Sequence, residues 1–262
     1  MAHVTRIITI ANQKGGVGKT TTTVNIAAAM AQMGKTVLVI DMDPQGNATT
    51  ALGIEHTEGT PGIYDVLMGE TSLAQVISPC SDITNLSGVA ATIDLAGAEV
   101  ELVSTPHREH RLREEIEKLQ QSHNFDYIFL DCPPSLGLLT LNGLVAAREV
   151  LLPIQCEYYA LEGLSQLLKT VDMIKEHLNP ELEVTAIILT MYDGRTRLAS
   201  QVADEVRSHF GARVLNTIIP RNVRVSEAPS YGQTVLTYDP NSSGAISYRE
   251  AAAQLDTIQP YN

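Results

Sequence analysis

The sequence predicts an α/β protein built on a single doubly wound, mostly parallel sheet with helices on both faces. Two observations point there. Apolar runs of strand length alternate along the chain with longer segments of helical periodicity, which is the pattern of βαβ units. The polar residues of chemical interest cluster just after those apolar runs, and doubly wound sheets bind ligands beyond the carboxyl ends of their strands.

In chain order, the first strand is expected near residues 4–11 (VTRIITIA). It runs through a glycine-rich loop into a helix over 20–33, for which Gly34 is the stop signal, since glycine readily takes the left-handed turn that ends a helix. A second strand over 36–41 (TVLVID) ends in a carboxylate. A strand over 100–104 (VELVS) and a helix over 107–121 follow, and the strand 126–131 (DYIFLD) again ends in aspartate. Strands at 149–154 (EVLLPI), 184–190 (VTAIILT) and 213–219 (RVLNTII) complete the sheet, with helices over 160–178, 196–210 and 246–258.

Nothing in the 262 residues reads as a linker, a low-complexity tract or a repeat, so one domain spanning 1–262 is expected. Hydrophobic residues at 44%, with no Trp and three Phe, describe an aliphatic core of the kind that buried parallel strands make. The opening "MAHVTRIITIANQ" is too soon interrupted for a signal segment. No stretch approaches the roughly 20 apolar residues of a membrane span, so a cytoplasmic protein is expected. Cys80, Cys132 and Cys156 are far apart and lack metal-type spacing, which predicts reduced, buried thiols. The formal charge of −12 argues against a chain that coats nucleic acid with its whole surface. The charge is unevenly spread, however: residues 193–224 carry six arginines against three acids, a net of +3 that leaves −15 for the rest.

The loop "NQKGGVGKTTT" at 12–22 carries the first chemistry. Gly15, Gly16, Val17 and Gly18 let backbone N–H groups close on phosphate oxygens, and the following helix adds its positive end. Lys19 reaches the β and γ phosphates, Thr20 offers a hydroxyl to Mg²⁺, and Thr21 continues the site. The loop departs from the strict G-x-x-x-x-G-K-[ST] pattern because Gln13 stands at the first glycine, and it carries an additional lysine, Lys14. Asp131, closing its strand beside the loop, can bind Mg²⁺ directly or through water. In "VLVIDMDPQGN" Asp41 ends a strand and is assigned to the metal shell. Asp43 in the loop is assigned to orient or deprotonate the attacking water.

The motifs "KGGVGKTTTTVN", "DMDPQGNAT", "DYIFLDCPPSLG" and "IPRNVRVSEAPSYGQTV" together resemble the ParA/Soj chromosome-partitioning ATPases, P-loop proteins with a deviant Walker A loop. They occur in the family's order from Lys14 to about Tyr238, nearly the whole chain. The resemblance implies a weakly active ATPase that uses ATP and Mg²⁺. Two subunits would close face to face on two ATP molecules, each placing Lys14 on the phosphates held by the other, which is arginine-finger logic carried by a lysine. It also implies non-specific binding of nucleoid DNA by the ATP homodimer, and a ParB-type partner that stimulates hydrolysis through a short basic segment. On that reading Arg195, Arg197, Arg221 and Arg224 are the candidates for DNA contact, Arg195 and Arg224 foremost, and Pro220 and Asn222 are candidates to hold the base. Arg207 and Arg213 are read as structural.

Three rival classes bear on the same residues. A nitrogenase-type electron carrier needs paired cysteines for an iron–sulfur cluster, and Cys132 has no suitable second. A division-site ATPase of the MinD type, or another positioning ATPase acting on a membrane or protein scaffold, is the alternative function. Membrane binding would call for a basic amphipathic end, whereas "YREAAAQLDTIQPYN" has one Arg against Glu250 and Asp256. A metabolic amidoligase or kinase would need a small-substrate site that the sequence does not reveal.

Overall fold

The computed structural model describes residues 4–157 and 160–258, so the last four residues of "YREAAAQLDTIQPYN" lie outside the described part. Among the described residues the strands are β1 (Arg6–Ile10), β2 (Val37–Asp41), β3 (Ile77–Pro79), β4 (Leu86–Val89), β5 (Tyr127–Asp131), β6 (Glu149–Gln155), β7 (Glu183–Tyr192) and β8 (Val214–Pro220). They form one sheet in the order β3-β4-β2-β5-β1-β6-β7-β8, parallel throughout except for β3 against β4. The helices are α1 (Lys19–Gln32), α2 (Asn47–Ala51), α3 (Ile63–Met68), α4 (Leu95–Glu101), α5 (Arg111–Leu119) and α6 (Leu138–Ala146). They continue as α7 (Ala160–His177), α8 (Arg197–Phe210), α9 (Val223–Glu227), α10 (Val235–Tyr238) and α11 (Ser243–Thr257).

The central strands are continuous aliphatic runs because both of their faces are covered. Val37, Val39, Tyr127 and Phe129 pack on one face with α1 and α11. Their strand neighbours Leu38, Ile40, Ile128 and Leu130 turn to the opposite face, where α3 to α6 cover them, as the two-residue period of a strand requires. A third cluster on that second face joins β6 and β7 to α7 and α8. Gly34 ends α1 as predicted, with φ 88° just beyond the C-cap Met33. Among the described residues no helix is long and apolar enough to cross a membrane.

The strand expected at 100–104 is absent: residues 95–101 form α4, and Leu102–Ser104 continue it as a 3-10 turn. Leu95, Ala98 and Leu102 are buried while Val100 and Val103 are 77% and 58% exposed, a helical spacing of apolar contacts that the short run VELVS disguises as alternation. The strand beside β2 is instead β4, a four-residue segment with Gly88 inside it. A Cβ at Gly88 would lie 2.5 Å from Ile54 Cδ1, so the glycine that hides this strand from a propensity reading is demanded by close packing.

The connection from β1 through α1 leads to β2 on one side of β1, and the connection from β5 through α6 leads to β6 on the other. The carboxyl ends of β1 and β5 are therefore a topological switch point, where a crevice opens between diverging loops.

Candidate nucleotide site

The loop after β1 is pinned at both ends. Asn12, buried, donates Nδ2–H to Pro153 O at 2.8 Å and accepts the Lys14 N–H at 3.0 Å. Thr190, at the end of β7, donates its hydroxyl to Val17 O at 2.8 Å. Gly16, between these anchors, and Gly18, just after the second, take φ 74° and 88°, the left-handed region where a side chain is strained. A Cβ at Gly15 or Gly16 would meet nothing within 4 Å. The loop thus cradles open space at the N-terminus of α1, where no side chain caps the free N–H groups, the arrangement that receives an anion.

That space is a cavity of about 500 Å³ lined by Gly15, Gly16, Gly18, Lys19, Thr20, Thr21 and Asp43. Lys19 is buried, its ammonium donating to Lys14 O at 3.3 Å. Burial holds its pKa below the usual lysine range, against the pull of Asp131 and Asp43. Asp131, fully buried, accepts hydroxyl donors on both oxygens, Thr20 Oγ1 on Oδ2 and Thr23 Oγ1 on Oδ1, each at 2.7 Å. Burial and then the neighbouring Asp41 push its pKa up to about 7, because a carboxylate out of water resists ionising without a cation. Thr20 and Asp131 therefore fit a magnesium ion: a buried carboxylate short of positive charge, a hydroxyl on it, and a phosphate cradle alongside. Among the described residues no three His, Cys, Asp or Glu side chains form a metal cage, and Mg²⁺ commonly takes one or two carboxylates plus substrate phosphates.

Asp41 and Asp131 are register partners on adjacent strands. Asp41 nevertheless spends its oxygens elsewhere: Oδ2 accepts Thr49 N–H and Oγ1–H at 2.8 and 2.7 Å, and Oδ1 accepts Asp43 N–H at 3.1 Å. Burial pushes its pKa up to about 6. It clamps the loop that carries Asp43. Asp43 is 7% exposed, and its Oδ1 accepts Gln45 N–H at 3.0 Å. The turn closes through Gly46 N–H on Asp43 O at 2.9 Å. Gln45 and Asn47 join the cavity wall; they lie in the "DMDPQGNAT" motif, where the sequence pattern assigns them no part. Met191 also lines the wall, at φ 51°, a position no local pattern announces.

A second hollow of about 90 Å³ shares Gly18, Thr21 and Met191 with the first and brings in Pro220, Asn222 and Tyr248. The candidate base residues thus lie beside the phosphate loop. Asn222 caps α9, accepting Arg224 N–H at 2.8 Å. Lys14 is not among the residues that line the main cavity. Its ammonium lies 3.6 Å from Glu157 Oε2.

The four candidate arginines follow β7 and β8, and the two loops are joined by Arg221 N–H donating to Tyr192 O at 3.0 Å. Arg195, with its side chain 86% exposed, holds Asp193 through Nε and Nη2, both at 2.8 Å. Arg197 is exposed at the start of α8. Arg221 Nη2 lies 3.7 Å from Glu157 Oε1, and Arg224 pairs with Glu227 at 3.0 Å and Asp239 at 3.4 Å. Arg207 bonds the Asn216 carbonyl at 3.4 Å. The three cysteines are buried and free.

Residues 5–184 match the family model AAA_31, an AAA domain. The chain is 52% identical over 250 residues to the sporulation initiation inhibitor protein Soj of Bacillus subtilis, covering 95% of this chain and 98% of that protein. It is 51% identical to the chromosome partitioning protein ParA of Myxococcus xanthus, covering 97% and 89%. Among solved structures, the cobyrinic acid a,c-diamide synthase of Mycobacterium smegmatis with bound ADP and magnesium superposes with a TM-score of 0.84 at 36% identity, covering 98% of both chains. That name belongs to that protein, and the partitioning relatives are closer in sequence. A mostly parallel sheet, a lysine-bearing phosphate loop at its switch point, and half-identity along nearly the whole length lead to one assignment: the chain belongs to the Soj/ParA family of chromosome-partitioning ATPases.

Proposed function

We propose that this chain works as one P-loop ATPase domain that times its hold on DNA. ATP closes a homodimer, the dimer binds nucleoid DNA without sequence preference, and hydrolysis, accelerated by a ParB-type partner, releases it. The observation that carries this reading is the separation of the two lysines. Lys19 lies buried in the cavity, whereas Lys14 stands outside it, 3.6 Å from Glu157. An ammonium that leaves its own phosphate site is available to the site of a second copy.

Within one protomer, the loop N–H groups and Lys19 hold the triphosphate, and Thr20 and Asp131 hold the cation. Mg²⁺ held there would supply positive charge against the phosphates. Asp43 orients the attacking water or takes its proton, a role supported by its hydrogen bonds from Gln45 N–H and to Asp41. Asp41, with its oxygens engaged by Thr49 and Asp43, serves by positioning that loop. Pro220 and Asn222 hold the base, and Arg195, Arg197, Arg221 and Arg224 supply phosphate contacts that add up when two protomers combine.

DNA retention measured with ATP, with ADP and without nucleotide, each with and without a ParB-type protein, tests the cycle. Retention only with ATP, shortened by the partner, is the expected result. Lys14→Ala is expected to keep ATP binding and lose the ATP-dependent dimer in size-exclusion chromatography. A dimer unchanged by that substitution would remove the basis of the reading.

A further inference from the structure

Glu157 belongs to none of the motifs in the sequence, yet two of the cations that the proposed cycle needs meet on it. Its Oε2 lies 3.6 Å from Lys14 Nζ, and its Oε1 lies 3.7 Å from Arg221 Nη2. The carboxylate is not free to wander: Gln155 Nε2–H donates to Oε1 at 2.6 Å, and the Glu157 N–H donates to Gln155 O at 2.8 Å. It stands directly after β6, the strand beside β1. From there it faces the phosphate loop on one side and the loop after β8 on the other.

The loop carries two ammonium groups five residues apart in sequence, and like charges gain by separating. Lys19 Nζ takes the inner position on Lys14 O, and a fixed carboxylate outside the cavity draws the other ammonium outward. Glu157 thereby sorts the two lysines. The same carboxylate also neutralises Arg221, whose side chain is 57% exposed at the arginine-rich edge. Resting on the proposed function, we propose that Glu157 is a shared counter-ion that restrains Lys14 and Arg221 within their own protomer. Closure on a partner's ATP and contact with DNA then each begin by taking a cation from this one carboxylate.

Half-exposed pairs at these distances bias an equilibrium by about 1.4- to 5-fold, enough to set a threshold and weak enough for a phosphate to displace. The test is the isosteric Glu157→Gln variant of the full chain, titrated with ATP while DNA retention on a random-sequence duplex and dimerisation by analytical ultracentrifugation are followed. The ATP concentration for half-maximal dimer and half-maximal retention is expected to fall about 1.4- to 5-fold. A loss of negative charge anywhere near the patch would also favour DNA, so the retention series is repeated in an Arg221→Gln background. There the part of the gain that comes through Arg221 is expected to vanish, and full persistence of the gain would overturn the shared-restraint role. An unchanged or raised ATP requirement in Glu157→Gln, with the parent retaining DNA normally, overturns this inference alone. A parent that retains no DNA with ATP overturns the proposed function and takes this inference with it.

Discussion

The proposed DNA binding makes a quantitative prediction for the arginine edge through its salt dependence. If Arg195, Arg197, Arg221 and Arg224 each meet one phosphate, two protomers neutralise eight phosphates, and the slope of log affinity against log salt approaches about −7. Between about 50 and 200 mM salt the ATP-bound dimer would then lose affinity by about 10⁴-fold. Substituting Arg195 and Arg224 by Gln removes half of those contacts, so the slope falls to about −3.6 and the loss over the same range to about 150-fold. The structure sharpens the expectation for Arg195. Its bidentate hold on Asp193 keeps that carboxyl well down, at about 2, and the arginine must break this pair to reach DNA. Asp193→Asn is therefore expected to tighten binding without changing the number of phosphate contacts. The assay is fluorescence anisotropy on a random-sequence duplex at several salt concentrations, in an Asp43→Ala background so that ATP persists. A double variant with the parent's slope would refute the placement of DNA on the edge formed by the loops after β7 and β8.

Asp43→Ala by itself is expected to slow phosphate release in a single turnover by about 10²- to 10⁴-fold while ATP binding is retained. A loss of binding together with hydrolysis would make Asp43 structural. Gly88→Ala is expected to lower the melting temperature, by an overpacking penalty of about 1–3 kcal/mol, because its Cβ would lie 2.5 Å from Ile54 Cδ1. A variant that melts with the parent would show that Ile54 yields freely. Arg6 and Glu149 form a mostly buried pair, Nη2 to Oε2 at 2.7 Å and Nε to Oε1 at 2.8 Å. Glu149→Ala leaves the Arg6 guanidinium without its carboxylate, so urea unfolding is expected to show about 3–5 kcal/mol lost, and a loss below about 1 kcal/mol would mean that water reaches the arginine.

Much of the candidate site was legible because its local geometry is written in short motifs. A glycine-rich turn between a strand and a helix has one physical use for its N–H groups, and Lys19 and Thr20 sit within that turn. The strand-end aspartates Asp41 and Asp131 were legible for a similar reason, since an ionisable residue closing an aliphatic run marks the carboxyl end of its strand, where doubly wound sheets bind ligands. The strand expected at 100–104, which is helical, and β3 and β4, which no pattern announces, show where local reading stops. Strands of three and four residues, one of them holding Gly88, carry too little pattern, and only the neighbours of Leu95, Ala98 and Leu102 reveal the helical face of α4.

What the sequence by itself determined is the set of groups: a cradle, two loop lysines, three aspartates and a run of arginines on an α/β frame. What the tertiary structure alone decided is which of them meet. The strand order sets β5 between β2 and β1, so Asp131 turns to Thr20 and Thr23 while Asp41, its register partner, turns to Thr49. It likewise brings Glu157, some 140 residues on from Lys14, within ion-pair distance of it. Side chains of like type separate by role because a buried charge accepts only the partners that packing supplies, and packing is a property of distant segments brought together.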